Sequence, residues 1–449
     1  MIPTILFIAV FLGVAVAAPV HAAGLWLIVM ITHGLLVELL GESATHIPLY
    51  VGLTVSLCIL FRGRWYGVPH TTLLLFGTLI CIMGFSSFVG LNMGNSLVSL
   101  TLYAKAFLLA LLLAGCLKGD HDLRIITLYC LAGIVFGALI TIYQHYTGTY
   151  SVNVDDVQRA GGLRGDPNDT AMLLIAGVPL AVFWLIESKV LILRAIFLAS
   201  VVLLLFSMVL TGSRGGFVAL IFISALMYIK RPTMLATFIG ILLVALLISF
   251  APQSYWTRME TLTKGKELQG SSSLNKRAEL QRRGVEIFLS NPILGVGPNN
   301  FGESFLLAGQ NRGGSGARIG SNADKGFGLV AHNMYLEFFV ENGLFAGLLL
   351  LAIFHKATKY LLIYDQHFAA GFTYFGIGYS LALALLGMLI SGLFLSQGKN
   401  SVLWFLVGVG LSLGQGRNQP VIDTIPSDPT PKRSTAQSLC LSLPKGYRE

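Results

Sequence analysis

Four groups of residues in this 449-residue chain have types and spacings that could do chemistry. The first is QRAGGLRGDPNDT (158–170), where Arg159 and Arg164 sit among glycines. Asp166-Pro167-Asn168-Asp169 reads there as a turn opening into a helix, with Asn168 or Asp169 as its cap. Glycines admit a ligand close to the backbone, and free N–H groups at a helix start favour anions. The plain alternative is a capped loop with two solvated arginines. The second group is TGSRGG (211–216), in which Arg214 stands between two apolar runs. An arginine at the centre of a membrane costs at least ~2.5–3.5 kcal/mol on insertion scales, so it must reach an interface or a partner. Snorkelling to a lipid headgroup would satisfy it; the three flanking glycines favour access and anion binding.

The third group is SLNKRAELQRRGVEIFLS (273–290), a predicted helix. Leu274, Ala278, Val285 and Phe288 fall near one face, with Lys276, Arg277, Arg282 and Arg283 on the remainder. Such a helix lies along a membrane surface with its basic side up. Its cations serve either as anchors to anionic lipid or, through one arginine, as a two-pronged grip on phosphate. Asn291-Pro292 stops it, and ILGVGPNNFG makes a glycine-rich turn. The fourth group opens the next apolar run, AHNMYLEFFVENG (331–343). Asn333, Glu337 and Glu341 are four apart and share a helical face, whereas His332 points elsewhere from the outer rim. Acidic groups in an apolar span are costly and mark function. His332 is either ordinary surface or a neutral imidazole placed to take a proton from a hydroxyl. Lys105, midway along another apolar run, either pairs with an acid such as Glu38 or snorkels.

Other chemistry is excluded by what is missing. No P-loop is present, which argues against ATP-driven transport. The large polar segment has no DxD-like acidic pair, and HExxH and GxSxG are absent. The expected chemistry therefore needs no metal and no cofactor, and rests on arginine and histidine.

The elements that position these residues are membrane helices. The chain is 55% apolar and 11% charged, with a mean hydropathy of +0.75. Continuous apolar runs fit helices crossing ~30 Å of hydrocarbon, rather than the alternating strands of a barrel. Candidate spans are 2–18, 24–40, 47–61, 70–89, 97–117, 123–143, 170–187, 191–210, 215–229, 234–251, 332–354, 373–396 and 400–415, an all-α polytopic membrane protein of 12 or 13 helices. Arg62/Arg64, Lys118/Arg124, Lys189/Arg194, Lys230/Arg231 and Lys356/Lys359 occupy alternate loops, which the positive-inside rule puts in the cytoplasm with the tail. The net charge of +9 needs no nucleic acid to explain it. Segments 144–169 and 252–331 then lie outside, the second long enough to escape the rule. Residues 1–23 mimic a signal peptide but lack a basic start, so they are expected to be retained. The expected division is a transmembrane catalytic domain, 1–416, and a Pro-, Ser- and Thr-rich disordered tail, 417–449. Four of the cysteines lie in apolar runs, with neither disulfide nor metal spacing.

Taken in order, TGSRGG (211–216), the Arg-rich helix running into NPILGVGPNNF (291–301) and HNMYLEFFVENGLFAGLLLL (332–350) resemble the O-antigen ligase and polymerase superfamily of bacterial inner-membrane glycosyltransferases. GLRGDPNDTAML is similar to the family's shorter loop. The resemblance covers roughly residues 120–415 and is strongest over 205–350. It implies a lipid-donor glycosyltransferase architecture of the GT-C-like kind with one large periplasmic loop. It also implies a metal-independent, inverting transfer of a glycan from undecaprenyl pyrophosphate to an acceptor hydroxyl. Arg214 and a loop arginine (Arg277 best placed, Arg283 a candidate) would hold the pyrophosphate, with Arg164 a further donor ligand. His332 would orient or deprotonate the acceptor, with Asn333 and Glu337 beside it. The acceptor is a lipid A-core sugar, a growing glycan or a protein hydroxyl. A carrier of small anions or glycans is the reading from another class. Carriers gather charged residues and broken helices at the bilayer midplane, whereas here, Lys105 excepted, they gather at the outer rim. Residues 302–330 are expected to be mobile and to choose the acceptor.

Overall fold

The computed structural model describes residues 13, 17–41, 44, 46–63, 65–149, 151–154, 157–230, 272–310, 329–365 and 375–414. Most of the expected span 2–18, and all of 234–251 and of the tail 417–449, lie outside the described residues. Each remaining span coincides with a helix: α1 (Pro19–Leu40), α2 (Ile47–Phe61), α3 (His70–Val89), α4 (Met93–Cys116), α5 (Gly119–Thr147), α6 (Pro167–Glu187), α7 (Leu191–Thr211), α8 (Arg214–Lys230), α11 (Met334–Tyr364), α12 (Ile377–Ser391) and α13 (Ser401–Leu413). Among the described residues, α1, α3, α4, α5, α6, α7 and α11 are each long and apolar enough to cross a membrane. The large polar segment supplies α9 (Ser272–Ser290) and α10 (Phe301–Gln310). The fold is the expected all-α polytopic one, with one small addition. Residues 151–154 (β1) and 157–160 (β2) pair antiparallel, Ser151 opposite Ala160, where a plain loop was expected.

Within the bundle α6 and α13 are the inner helices. Ser401 to Ser412 are buried throughout α13. Two of its glycines let neighbours approach: a Cβ on Gly408 would meet the backbone of Ala110 on α4, and one on Gly410 the backbone of Ala357 on α11. Close backbone packing through small residues is how apolar helices associate where lipid removes the hydrophobic drive. Trp404 fills the space beside them, its ring centroid 4.4 Å from Phe107 and 5.9 Å from Phe76. The outward faces of α7 and α8 stay apolar and exposed, as with Leu191, Ile192, Ile221 and Phe222.

The alternation of helices sends the α3–α4 turn, the end of α5, the hairpin, the α7–α8 hinge, α9–α10 and the 392–400 turn to one end of the bundle. The basic loops gather at the other end. There Arg124 pairs with Asp120 and, at 2.9 Å, with Glu187; Lys118 lies 5.1 Å from the Tyr66 ring; and Lys356 donates to Thr71 at 2.8 Å. The loops flanking the chemistry are thus segregated from those carrying structural cations.

Three expectations need correcting. The span expected at 332–354 runs on to Tyr364 and is broken inside: Gly343 has φ 80° and ψ 179°. A Cβ there would lie 2.0 Å from the carbonyl oxygen of Ile293, so the break needs glycine for both its dihedral and its space. The 292–301 turn takes up the backbone groups that the break frees. Val296 N–H donates to Val340 O at 3.0 Å, Gly297 N–H to Glu341 O at 2.9 Å, and Leu344 N–H to Pro292 O at 2.8 Å. A broken membrane helix is tolerated where protein satisfies its freed groups in this way.

The face of α9 also differs. Its buried residues are Leu280, Gly284 and Ile287, packed with Val296, Phe301, Phe305, Ala331 and Val340, while Ala278 and Val285 are exposed. Positions 280, 284 and 287 make one stripe at helical spacing, and tertiary packing on α10 and α11 chose it. Val285, Leu289 and Ile293 form a second, exposed apolar stripe, which suits contact with a membrane interface. Finally, 301–310 is helical and packed through Phe301 and Phe305, so it is not part of a mobile segment. Residues 311–328 lie outside the described residues.

Candidate active site

The site is assembled from four pieces of chain at that one end. At the start of α6 the cap is Asp166, not Asn168 or Asp169. Its carboxylate accepts from Asn168 N–H at 2.7 Å and Asp169 N–H at 3.3 Å. Pro167, which has no N–H to satisfy, takes the first helical position, so the residue before it becomes the cap. That frees both side chains that follow. Asn168 Oδ1 accepts from Ser213 Oγ at 3.1 Å, and Asp169 accepts from Gln397 of the 392–400 turn.

The α7–α8 hinge comes next. Gly212 adopts φ 57° to end α7, and Ser213 caps α8 by accepting from Gly216 N–H at 3.3 Å. Arg214 is thereby set at the first position of α8, half-buried. The glycines after it have a packing role rather than one of access: a Cβ on Gly215 would meet Phe394 at 2.8 Å, and one on Gly216 would meet Met208 at 2.2 Å.

One of the two arginines of the first motif ties the two pieces together. Arg159, on β2, is only 4% exposed. Its Nε donates to the Thr211 carbonyl at 2.9 Å and its Nη2 to Asn168 Oδ1 at 3.0 Å. A planar guanidinium suits that double grip, because its donors are fixed in a fork. Arg159 was legible only as one of two arginines among glycines. The other, Arg164, closes the 3-10 turn Gly162–Arg164 at the same end.

On α9 the arginines separate by partner. Arg282 pairs with Glu279 and with Glu286, both at 3.0 Å, and stays exposed. Arg283 binds Glu279 at 2.6 Å and lies 4.6 Å from the Phe305 ring. The hydrogen bonds from Arg282 and then Arg283 hold the Glu279 carboxyl down to about 2. Arg277 has no such carboxylate among the described residues. Burial first, and the charge of Arg214 second, lower its affinity for its proton, while Asp166 opposes them. Arg277 and Arg214 are thus close enough to repel each other, which is the arrangement for a shared anion.

His332 stands in the same field. It has φ 49°, a left-handed conformation that is uncommon outside glycine and marks a constrained position. Burial pulls its imidazole down to about 4, with Arg277 pushing the same way and Asp166 the other. The neutral ring is therefore the resident form near pH 7. The two flanking residues fix it. Asn333 caps α11, accepting from Tyr335 N–H and Leu336 N–H, both at 3.1 Å. Glu337 reaches back, accepting from Ala331 N–H at 2.9 Å and from Ser396 Oγ. Met334 N–H donates to Gly392 O at 2.8 Å. The side chains of Asn333 and Glu337 are therefore engaged in holding the His332 strap. Glu341 is buried at the helix break, where backbone groups of Asn299 and Phe301 hydrogen-bond its carboxylate.

Arg214, Arg277, Asp166 and His332 thus form one electrostatic cluster, drawn from α8, α9, the α6 cap and the α11 strap. Two cations beside a neutral base suit a doubly charged phosphate ester whose neighbouring carbon is attacked by a hydroxyl. Among the described residues no group of three or more His, Cys, Asp or Glu side chains could hold a metal ion.

Residues 199–351 match the family model described as O-Antigen ligase, in agreement with the superfamily resemblance read from the motifs. The matched segment runs from α7 past the break at Gly343, and so includes Arg214, Arg277, Arg283, His332, Asn333 and Glu337. Arg159, Arg164 and Asp166 precede it. No curated protein matches the chain. The family match supports glycan transfer of the ligase or polymerase type as the general activity of this membrane protein.

Proposed function

We propose that the chain transfers a glycan from an undecaprenyl-pyrophosphate donor to an acceptor hydroxyl at the periplasmic face of the bacterial inner membrane, in the manner of an O-antigen ligase. The single observation that carries this reading is the meeting of Arg214 and Arg277 beside a neutral His332. Basic loops gathered at the opposite end of the bundle support a periplasmic site.

In the reaction the acceptor oxygen attacks the anomeric carbon from the face opposite the pyrophosphate, inverting it. The C1–O bond breaks and its electron pair leaves with the lipid pyrophosphate. Arg214 and Arg277 neutralise the charge that grows there, an electrostatic role that strengthens in the transition state. His332, neutral at rest, orients the hydroxyl and takes its proton. Arg159, Asn333 and Glu337 position these groups. Arg164 is a further ligand for the donor, and Arg283 steadies α9 through Glu279. The donor's negative charge opposes that of Arg277, so its arrival makes His332 a better base than it is in the free protein.

Deleting the gene and examining the envelope glycans tests the reading and separates the acceptors. Loss of all polymer from the lipid A-core indicates ligation, and a core bearing a single repeat unit indicates polymerisation. A mass shift confined to secreted protein indicates protein transfer. Unchanged glycans on all three acceptors would refute glycan transfer and favour a carrier of small anions or glycans.

A further inference from the structure

The sequence places one lysine, Lys105, where a membrane helix should not have one, and the reaction above does not use it. It is the thirteenth residue of α4, about 18 Å along the helix from Met93 at 1.5 Å per residue. Of the two alternatives read from the sequence, pairing with an acid such as Glu38 is not seen: among the described residues Lys105 has no carboxylate partner. It is also not buried among apolar side chains. It lines a cavity of about 220 Å³ between α1, α2, α4 and the start of α13. Pro48 and Leu49 at the start of α2 and Ser401 at the start of α13 surround the same space, on the side of the bundle that carries the site.

The walls of that cavity say what it fits. Lys399, His33 and Ser401 line it beside Lys105, so two of its polar side chains are lysine ammonium groups and none is a carboxylate. Lys399 is already opposed by Glu337 and Glu341; Lys105 is the charge left without an acid. Three further lining residues, Leu53, Leu102 and Leu108, are 47%, 44% and 43% exposed on the outer surface of the bundle. The mouth therefore opens sideways, towards lipid. Lysine side chains on a helix point towards its N-terminus, which here is the end carrying the site. The volume is below the ~300–1,000 Å³ of a site that engulfs a small molecule. It suits one headgroup and is too small for a glycan.

We infer that this cavity is a second binding site, separate from the Arg214–Arg277–His332 cluster, for the phosphate headgroup of an anionic membrane lipid that enters sideways from the bilayer. Lys105 provides the main charge and Lys399 the second contact, while the acyl chains lie along Leu53, Leu102 and Leu108. A free phosphate ion shares the headgroup chemistry but would gain nothing from the apolar mouth. The inference does not rest on the donor and acceptor proposed above.

The test uses the full chain purified in detergent, titrated with phosphatidylglycerol or phosphatidylcholine and read by native mass spectrometry. The wild type is expected to retain phosphatidylglycerol at least tenfold better than phosphatidylcholine. Lys105→Met should erase that preference, and Lys105→Arg should keep it. Lys399→Met should weaken it in part. If Lys105→Met fails to give a monodisperse protein, Lys105→Gln against Lys105→Arg carries the same comparison. Equal preference in the wild type and the uncharged variants would overturn the proposal. Displacement of bound phosphatidylglycerol by inorganic phosphate alone would overturn the assignment to a lipid.

Discussion

The acidity of His332 gives the sharpest prediction. An ordinary histidine, with a pKa of about 6.5, is ~90% protonated at pH 5.5. One held down to about 4 by burial and Arg277 is only ~3% protonated there. The base must be neutral to act, so activity is present above the folded-state value and is lost as the pH falls through it. For purified protein, kcat/KM for lipid-linked glycan should be flat from pH 7.5 to about 5.5 and fall with an apparent pKa near 4. This limb reports the free protein, whereas kcat reports the complex. Donor charge beside His332 raises its affinity for a proton, so the kcat limb should lie at higher pH than the kcat/KM limb. Arg277→Gln should move the kcat/KM limb up, but only part of the way, because burial is the larger cause. Asp166→Asn should move it down. A wild-type kcat/KM limb at about 6.5, unmoved by either variant, would refute the placement of His332 in this field.

Three further outcomes follow from the geometry. Arg159→Met leaves the buried Thr211 carbonyl without its Arg159 donor and takes one of two donors from the Asn168 amide oxygen, which keeps Ser213 Oγ. At ~1.5–3 kcal/mol for each of the two lost charged hydrogen bonds, it should cost about 3–6 kcal/mol of local stability, read as a lowered midpoint in thermal unfolding in detergent. Arg159→Lys should recover little of this, since an ammonium cannot reproduce the fork. Gly343→Ala forces a Cβ against a backbone carbonyl at φ 80°; the expected loss is at least ~3 kcal/mol, seen in unfolding and in reduced monodisperse yield. On α9, Arg277→Ala should lower transfer by about 100- to 1,000-fold, the effect of removing one donor to a developing charge. Arg282→Ala, at an exposed residue paired with Glu279 and Glu286, should stay within about twofold.

Much of this was legible because lipid imposes strict rules. Runs of apolar residues had to be helices, and polar residues that break those runs had to have a use, which singled out Arg214, His332 and Glu337. What could not be read depended on contacts far apart in sequence. ENG at 341–343 continues a helical pattern, and only the 292–301 turn lying against it accounts for the break. Arg159 reaches a carbonyl 52 residues away, and nothing local distinguishes it from Arg164. The cap at Asp166 was missed because Asn168 and Asp169 are equally good caps by type; the position of Pro167 decides it. Among the arginines of α9, composition could not choose. Glu279 and Glu286 occupy Arg282 and Arg283 and leave Arg277 to face Arg214.

The central claim is that Arg214, Arg277 and His332 form one centre for transfer from a lipid pyrophosphate. Its most direct measurement is the consumption of purified undecaprenyl-pyrophosphate-linked glycan by the wild type and by Arg214→Ala and His332→Ala. All three proteins should be shown folded by size-exclusion profile and unfolding midpoint. The account predicts transfer by the wild type and none by either variant; full transfer by both variants would contradict it.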